Sequence, residues 1–287
     1  MSNARKADRP ILFSDAMVKG LLREAEHPGA GKRQTRRLLT PMNVTMMGGG
    51  GLSGDPITTY RPSREHLREA LLHAKGMRTI EHVMTWHQDA SDFEGATFVR
   101  RIWMASVSPC VADRLWVRET WAVGACAEGL APAELHPGFW SGERSDNGGL
   151  WYRAGGEPSH PVTPRGVWRA PIHMPRWASR LTLTVTDVRV QRLQDMEGQH
   201  PSESDAIAEG IRAIHHGDGA YYYSAFRDDP HPKNWRDPTD AFRELWDSLN
   251  GKRAGAAWND NPWVVALTFS VALRNIDAPV PSAEVAA

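Results

Sequence analysis

The residues best suited to chemistry lie in one short stretch, Gly31-Lys32-Arg33-Gln34-Thr35-Arg36-Arg37. It combines an amine, a hydroxyl and three guanidinium groups, which suit proton transfer, nucleophilic attack and stabilisation of an oxyanion. Lys32 and Thr35 are three residues apart, so their side chains would point to opposite faces of an extended strand and converge only in a turn or bulge. If Lys32 and Thr35 act together, the backbone here must form a turn or bulge. The alternative interpretation of the stretch is a solvated basic turn without a catalytic role.

Two carboxylates occupy positions that conflict with local structural rules. Glu209 falls in the last turn of a short predicted helix, which Ser202 and Asp205 begin and Gly210 ends, and the helix dipole disfavours negative charge there. Glu119 lies on the apolar face of a predicted strand, where it must pair with a cation or line a cavity. Such conflicts point to function. The alternative for Glu209 is an exposed acid without a role, and the alternative for Glu119 is a structural ion pair.

A segment rich in arginine and tryptophan runs from Trp168 to Arg180. Its two prolines exclude a regular helix, so we expect a rigid irregular segment. Arginine and tryptophan together suit stacking on a nucleobase. The strand that follows changes its apolar phase by one residue near Thr186-Asp187, which predicts a β-bulge of the kind found in curved sheets and barrels.

The elements that must position these residues are readable from periodicity. Ile11 to Phe13 form a strand candidate, and the helix after Ser14 or Asp15 ends at Pro28 to Gly31. The apolar stripe of this helix consists of Met17, Val18, Leu21 and Leu22. A second amphipathic helix is predicted over residues 240–249, and its stripe consists of Phe242, Leu245, Trp246 and Leu249. A last strand over 263–271 is apolar on both faces and is predicted to be central. A further amphipathic helix is predicted over 63–75.

Composition limits the classes of protein and partner. The 287 residues are 41% apolar and 24% charged, enough for one large domain or two small ones. Lysine plus arginine equals aspartate plus glutamate at 34 each, so the chain has no general electrostatic attraction for a duplex, although a local basic patch remains open. Two cysteines, Cys110 and Cys126, argue against a disulfide framework and a structural zinc site and fit a reducing cytoplasm. We expect no membrane span, no signal peptide and no metal site.

Several motifs, in their order along the chain, resemble the ASCH-domain proteins, in particular the larger members often encoded by bacteriophages and prophages. The motifs are Gly31-Lys32-x-x-Thr35-x-Arg37, Asp113-Arg114-Leu115-Trp116-Val117-Arg118-Glu119-Thr120-Trp121, His173-Met174-Pro175-Arg176-Trp177-Ala178-Ser179-Arg180 and Ala206-x-Ala208-Glu209-Gly210. The closing segments Phe242-Arg243-x-Leu245-Trp246-Asp247 and Trp258-Asn259-x-Asn261-Pro262-Trp263-Val264 also fit. Ala112 stands where the family has a glycine.

This resemblance implies an α+β chain folded as a PUA-like (ASCH) curved β-barrel with flanking helices and a cleft for a nucleoside or nucleic acid. We expect a single domain over residues 9–275, with two long insertions at about 41–106 and 123–165, and a flexible tail over 276–287. It also implies a cytoplasmic protein of a bacterial or phage-infected cell.

The resemblance also implies an activity. A small bacterial relative hydrolyses the amide of N4-acetylcytidine, and its Lys, Thr and Glu catalytic set falls on Lys32, Thr35 and Glu209. We therefore expect a metal-independent amidohydrolase, without a cofactor, that acts on a modified cytosine nucleoside or a small base-containing substrate. The implied substrate-binding residues are Arg36, Arg37, Glu119, Trp121, Met174, Pro175 and Trp177.

The expected roles follow from side-chain chemistry. A desolvated Lys32 can become a neutral amine and take a proton from the Thr35 hydroxyl or from water, and Glu209 can pass a proton to the leaving nitrogen. Arg37 or a backbone amide near Lys32 suits the oxyanion, and Trp177 or Trp121 suits base stacking. Other ASCH proteins are linked to RNA binding or ribonuclease activity, so a non-catalytic reader of RNA or modified DNA, including single-stranded DNA, and a ribonuclease remain alternatives. The oligomeric state stays open.

Overall fold

A computed structural model gives the architecture of most of the chain. It describes residues 8–40, 44–48, 58–60, 84–89, 100–107, 109–135, 149–156, 164–196, 198 and 204–279. The helix predicted over 63–75 lies outside the described residues. No helix in the described ranges combines the length and the apolar character needed to cross a membrane.

The described residues form a mixture of strands and helices, as the predicted α+β class requires. The strands are β1 (Asp8–Leu12), β2 (Gln34–Leu38), β3 (Val44–Gly48), β4 (Thr58–Tyr60), β5 (Met84–Asp89), β6 (Arg100–Val107), β7 (Arg114–Arg118), β8 (Trp121–Val123), β9 (Leu150–Tyr152), β10 (Thr182–Arg192), β11 (Arg212–His215), β12 (Tyr221–Ser224) and β13 (Trp263–Ala272). The α-helices are α1 (Asp15–Glu26), α2 (Asp205–Ala208) and α3 (Pro238–Asn250).

The main sheet has five strands in the order β1-β7-β10-β13-β2, with β1 and β2 at its edges. β1 is parallel to β7, and the other neighbours are antiparallel. The pairing of β10 with β13 shifts register between Val185 and Asp187, which confirms the predicted bulge. β13 lies between β10 and β2, which confirms that the last strand is central.

Two apolar clusters pack on this sheet. The first contains Val18 and Leu21 of α1 together with residues of β7, β10 and β13. The second contains Phe242, Leu245 and Trp246 of α3, so three members of the predicted stripe are buried. The fourth, Leu249, was predicted to face inward but is 46% exposed, because it lies at the last turn of α3, beyond the buried cluster.

The predicted insertions contain strands of their own. The four strands of the first insertion form an antiparallel sheet in the order β4-β3-β6-β5. The second insertion begins within β8, which pairs with β9.

The chain after Asn275 is attached to the fold over its described part. Ile276 is 2% exposed, and its carbonyl oxygen accepts a hydrogen bond of 3.1 Å from Arg114. Asp277 forms an ion pair of 2.6 Å with Arg176, which also contacts Asp8 at 2.7 Å. Residues 276–278 are therefore held by specific contacts rather than loose as predicted, and residues 280–287 lie outside the described part.

Candidate functional site

Lys32 is the most deeply buried cation of the predicted set, with 0% of the residue exposed. It lies in the connection between α1 and β2, and its backbone N–H donates to the Gly20 carbonyl at 2.9 Å. Its Nζ donates to the main-chain oxygen of Glu209 at 2.7 Å and to Glu209 Oε2 at 2.8 Å. Lys32 lies in irregular backbone before β2 and Thr35 lies within that strand, so the turn or bulge predicted across both residues does not form. The Lys32 amine does contact the predicted glutamate.

Two glycines, Gly20 and Gly210, contact the aliphatic part of Lys32, and a third, Gly31, packs against the backbone of α1. A Cβ at Gly20 would lie 3.0 Å from Lys32 Cβ, and a Cβ at Gly210 would lie equally close. Gly210 also has φ +96°, a left-handed conformation that ends α2 as predicted and that favours glycine. A Cβ at Gly31 would lie 2.3 Å from the backbone nitrogen of Glu24. Glycines at these positions let α1 and the end of α2 approach Lys32 closely and let the connection before β2 pack against α1.

Glu209 is 2% exposed and caps the C-terminus of α2. The helix begins two residues later than predicted: the N-cap is Ser204, whose Oγ accepts from the Ala206 N–H at 3.2 Å, and not Ser202. The negative charge at this helix end is offset by Lys32 and by Arg36, whose Nη1 lies 3.2 Å from Glu209 Oε1. The helix dipole disfavours a carboxylate at this end of α2, and two buried cations stabilise the Glu209 carboxylate there.

Arg36 connects Glu209 to a second buried acid. Its Nη1 also donates to Gln34 Oε1 at 2.7 Å, and its Nη2 pairs with Asp205, the first residue of α2. Asp205 additionally lies 3.2 Å from Arg189 on β10. These contacts tie both ends of α2 to the main sheet and hold Glu209 in a fixed position.

Burial lowers the pKa of the Lys32 amine, and the charges of Arg37 and Arg36 act in the same direction, whereas Glu209 raises it through its charge and hydrogen bond. The net direction is downward even though Lys32 and Glu209 form a close pair. Burial also lowers the pKa of Arg37, against the opposing charge of Glu209. The site thus favours a neutral amine at Lys32 more than solvent does.

A pocket of about 510 Å³ opens in front of this network. Its volume lies within the roughly 300–1,000 Å³ typical of small-molecule sites. Glu209, Arg36 and Arg37 supply polar groups, and Phe13 and Pro171 add to the wall. The face of α3 that borders the pocket contributes Phe242, Leu245, Trp246, Leu249 and Asn250, and Arg253 follows it.

Lys32 and Thr35 are not among the residues that line this pocket. Lys32 lies behind Glu209, and Thr35, which is 1% exposed, lies within β2 opposite Leu267 of β13. The Lys32 Nζ and the Arg37 guanidinium both face the ring of Phe13, at 5.8 Å and 5.0 Å from its centroid. Arg37 additionally donates to the Leu12 carbonyl at 2.6 Å, which joins the two edge strands of the main sheet.

The remaining predicted binding residues belong to a different part of the molecule. Trp121 and Met174 are buried in a third apolar cluster, against which Trp177 packs. Pro175 precedes a short 3₁₀ turn over residues 176–178. Glu119, predicted for substrate binding, instead makes two hydrogen bonds of 2.9 Å to Arg180, which matches the structural ion pair considered as its alternative. None of these five side chains lines the pocket.

Sequence reasoning missed several pocket residues. Phe242 and Trp246 were identified only as the buried stripe of a helix, and the periodicity does not reveal that they also border a pocket. Asp205 does not line the pocket but pairs with Arg36, and the sequence indicates it only as part of a helix start. Arg253 follows the end of α3 without any pattern, and Phe13 was read only as part of a strand.

In the described ranges, no group of three or more His, Cys, Asp and Glu side chains is arranged to hold a metal ion. Comparison of the chain with protein-family models, curated proteins and solved structures finds no match.

Proposed function

We propose that this protein is a metal-independent amidohydrolase that removes an acyl group from the exocyclic N4 of a modified cytosine nucleoside, of the N4-acetylcytidine type. The observation that carries this proposal is the buried contact between Lys32 and Glu209 at the base of a pocket with aromatic walls. A lysine with a lowered pKa beside a carboxylate provides both a base and a proton carrier.

We further propose that the fold is a PUA-like barrel of the ASCH type. The bulged, mixed main sheet supports this, as does the Arg37 hydrogen bond that links its two edges. Ala112 adds support, since its φ of 71° is the left-handed conformation that suits the glycine of the family motif.

The reaction would begin with Lys32 as a base. In its neutral form the amine donates one hydrogen bond to the main-chain oxygen of Glu209 and one to Glu209 Oε2. Its lone pair is then left to take a proton. Lys32 does not line the pocket, so the proton reaches it from a pocket water through the Glu209 carboxylate, which does line it. The oxygen that loses this proton attacks the acyl carbon and forms a tetrahedral oxyanion.

Glu209 would complete the proton transfer. It receives the proton from Lys32 and delivers it to N4 as the C–N bond breaks, so that cytosine leaves as a neutral amine. The water nucleophile releases the acid directly. Thr35, the other nucleophile predicted from the sequence, does not line the pocket and takes no part in this step. Arg36, which lines the pocket beside Glu209 and whose Nε has no partner among the described residues, would stabilise the oxyanion in place of the predicted Arg37. Phe13, Phe242 and Trp246 replace Trp121 and Trp177 as the aromatic residues placed to contact the base.

A second function is favoured by one observation. Both carboxylate oxygens of Glu209 already accept hydrogen bonds from buried cations, as expected of a rigid binding pocket that performs no chemistry. In that case the protein binds a nucleoside or a single-stranded nucleic acid without converting it. Measurement of product separates the two functions.

The test is product analysis by mass spectrometry with N4-acetylcytidine, other acylated nucleosides and RNA as substrates. We expect cytidine and acetate from N4-acetylcytidine, and loss of this conversion in Lys32→Met and Glu209→Gln. Lys19→Met is the matched control, because Lys19 is an exposed lysine on α1. Binding without product would favour the second function, shortened RNA would indicate a ribonuclease, and normal turnover by both site variants would refute the assigned roles.

A further inference from the structure

The pocket carries more positive charge than its acids balance. Glu209 already contacts Lys32 and Arg36, and Asp205 contacts Arg36 and Arg189. Two more guanidinium groups, those of Arg37 and Arg253, border the same pocket. Neither of these two arginines forms an ion pair with Glu209 or Asp205.

Arg37 makes few contacts for a cation in this position. Its guanidinium donates to the Leu12 carbonyl at 2.6 Å and lies 5.0 Å from the centroid of Phe13. Within the described part of the chain, no carboxylate lies within 4.0 Å of it. Burial lowers the pKa of this arginine, so its environment does not compensate the charge fully. An anion in the pocket would do so.

Arg253 provides a second cation next to the pocket. Its backbone N–H donates to the Asn250 carbonyl at 2.8 Å, which orients the segment after α3. Its side chain is exposed and forms no ion pair with any described carboxylate. It is therefore available to a ligand that extends from the pocket towards solvent.

Arg36 also retains an unused donor. The residue is 4% exposed and borders the pocket, yet its Nε has no hydrogen-bond partner among the described residues. A buried N–H without an acceptor costs roughly 1–3 kcal/mol, so native structures usually satisfy such groups with protein, water or ligand. An oxygen-rich ligand would supply the missing acceptor.

We propose that the pocket takes its substrate as a nucleoside 5′-monophosphate, with the phosphate bound by Arg37 and Arg253. The cytosine part of this assignment rests on the proposed function, whereas the phosphate part rests on the arginines alone. Planar guanidinium groups match phosphate oxygens with paired, charge-assisted hydrogen bonds. A monoester carries a charge of about −1.5 to −2 at pH 7, so it balances two arginines better than the single charge of a diester linkage does.

Calorimetric titration of the full chain with cytidine, cytidine 5′-monophosphate and a cytosine dinucleotide without a terminal phosphate tests this proposal without requiring turnover. We expect the monophosphate to bind at least about tenfold more tightly than cytidine at low salt, which corresponds to one net charge-assisted hydrogen bond. The preference should fall as salt screens the charges. Arg253→Gln and Arg37→Gln should each remove most of it. Lys252→Gln is the matched control, because Lys252 is an exposed cation beside Arg253 that does not border the pocket.

Equal affinity for cytidine and its monophosphate, binding of neither, or a preference that survives both arginine variants would overturn the proposal. Tighter binding of the dinucleotide would overturn the monoester assignment in favour of a polymer. The hydrolysis assay is independent of these results. A phosphate preference without hydrolysis of the acylated monophosphate would refute only the amidohydrolase function, and hydrolysis of N4-acetylcytidine without a phosphate preference would refute only this inference.

Discussion

The Lys32 amine contacts Glu209 twice, at 2.7 Å through the main-chain oxygen and at 2.8 Å through a carboxylate oxygen. The two side chains are 0% and 1% exposed. One partner lies in the connection between α1 and β2 and the other at the end of α2, 177 residues later. The first contact fixes the lysine to the helix end, and the second couples its charge to the carboxylate.

The first prediction concerns the stability of this pair. Lys32→Met leaves Glu209 buried with Arg36 as its remaining ion-pair partner, so the free energy of unfolding should fall by about 3–5 kcal/mol. Glu209→Gln should cost less, because an unpaired Lys32 can become neutral. Denaturant unfolding of both single variants and the double variant measures the coupling. Losses that add to within about 0.5 kcal/mol would show that the two residues are energetically independent.

The second prediction concerns pH. The proposed reaction needs a neutral Lys32, so kcat/KM should rise with pH, with a midpoint below the ordinary lysine value of about 10.4. Because Arg37 lowers the pKa of Lys32, Arg37→Gln should move the midpoint upward, whatever its effect on the maximal rate. Arg33→Gln removes the same charge from a residue that does not shift Lys32 and should leave the midpoint in place. A pH-independent rate would exclude Lys32 as the base.

The same lowered pKa has a consequence for folding. Between the folded and the unfolded pKa of Lys32, the unfolded chain binds more protons, so this residue's contribution to stability increases as pH rises through that window. Lys32→Met should remove this increase. Unfolding free energies of both proteins across the alkaline range measure it, and parallel curves would contradict the assigned direction of the pKa.

The third prediction tests the glycine contacts of Lys32. In Gly20→Ala, the added Cβ would lie 3.0 Å from Lys32 Cβ, so the lysine chain must shift. We expect activity to fall by about tenfold or more, since small displacements of catalytic groups are costly. Gly129→Ala is the control, because nothing lies within 4 Å of its added Cβ. Unchanged kcat in Gly20→Ala would mean that the position of Lys32 tolerates displacement.

The fourth prediction separates Glu119 from the pocket. Burial raises the pKa of the Glu119 carboxyl, and Arg180 opposes this through two hydrogen bonds. Arg180→Met should therefore destabilise the fold by about 2–3 kcal/mol, less than for a fully buried pair because Arg180 is partly exposed. Glu119→Gln in the same chain should recover part of this loss. Ligand affinity and kcat of the folded double variant should match the wild type, and a specific loss of affinity would place Glu119 in the binding site.

The fifth prediction concerns Ala112. Its φ of 71° costs an alanine roughly 1–2 kcal/mol, and glycine removes this strain but gains about 0.4–1 kcal/mol of unfolded-state entropy. Ala112→Gly should therefore raise the free energy of unfolding by about 0.5–1 kcal/mol. Chemical denaturation provides the measurement, and a destabilised variant would show that the Ala112 methyl group makes contacts that outweigh the strain.

Much of the scaffold was predictable because its causes are local. The apolar spacing in α1 and α3, the phase change at Thr186-Asp187 and the apolar faces of β13 follow from helix and strand periodicity. Gly210 ends α2 because a left-handed residue is needed there. The start of α2 was placed two residues early, since Ser202 and Ser204 are both acceptable caps and only the described hydrogen bond distinguishes them.

The sequence by itself determined which side chains are available and which positions are locally unfavourable, including Glu209 at a helix end and Glu119 on an apolar face. It could not determine their partners, because a buried charge selects its counter-ion through the packing of segments that are distant in the chain. The tertiary structure paired Glu209 with Lys32 and Arg36, and it paired Glu119 with Arg180, away from the pocket. It also placed one face of α3 beside the arginines of β2, which created the pocket. A pocket is the space left between packed elements, so it has no periodic signature in any one of them.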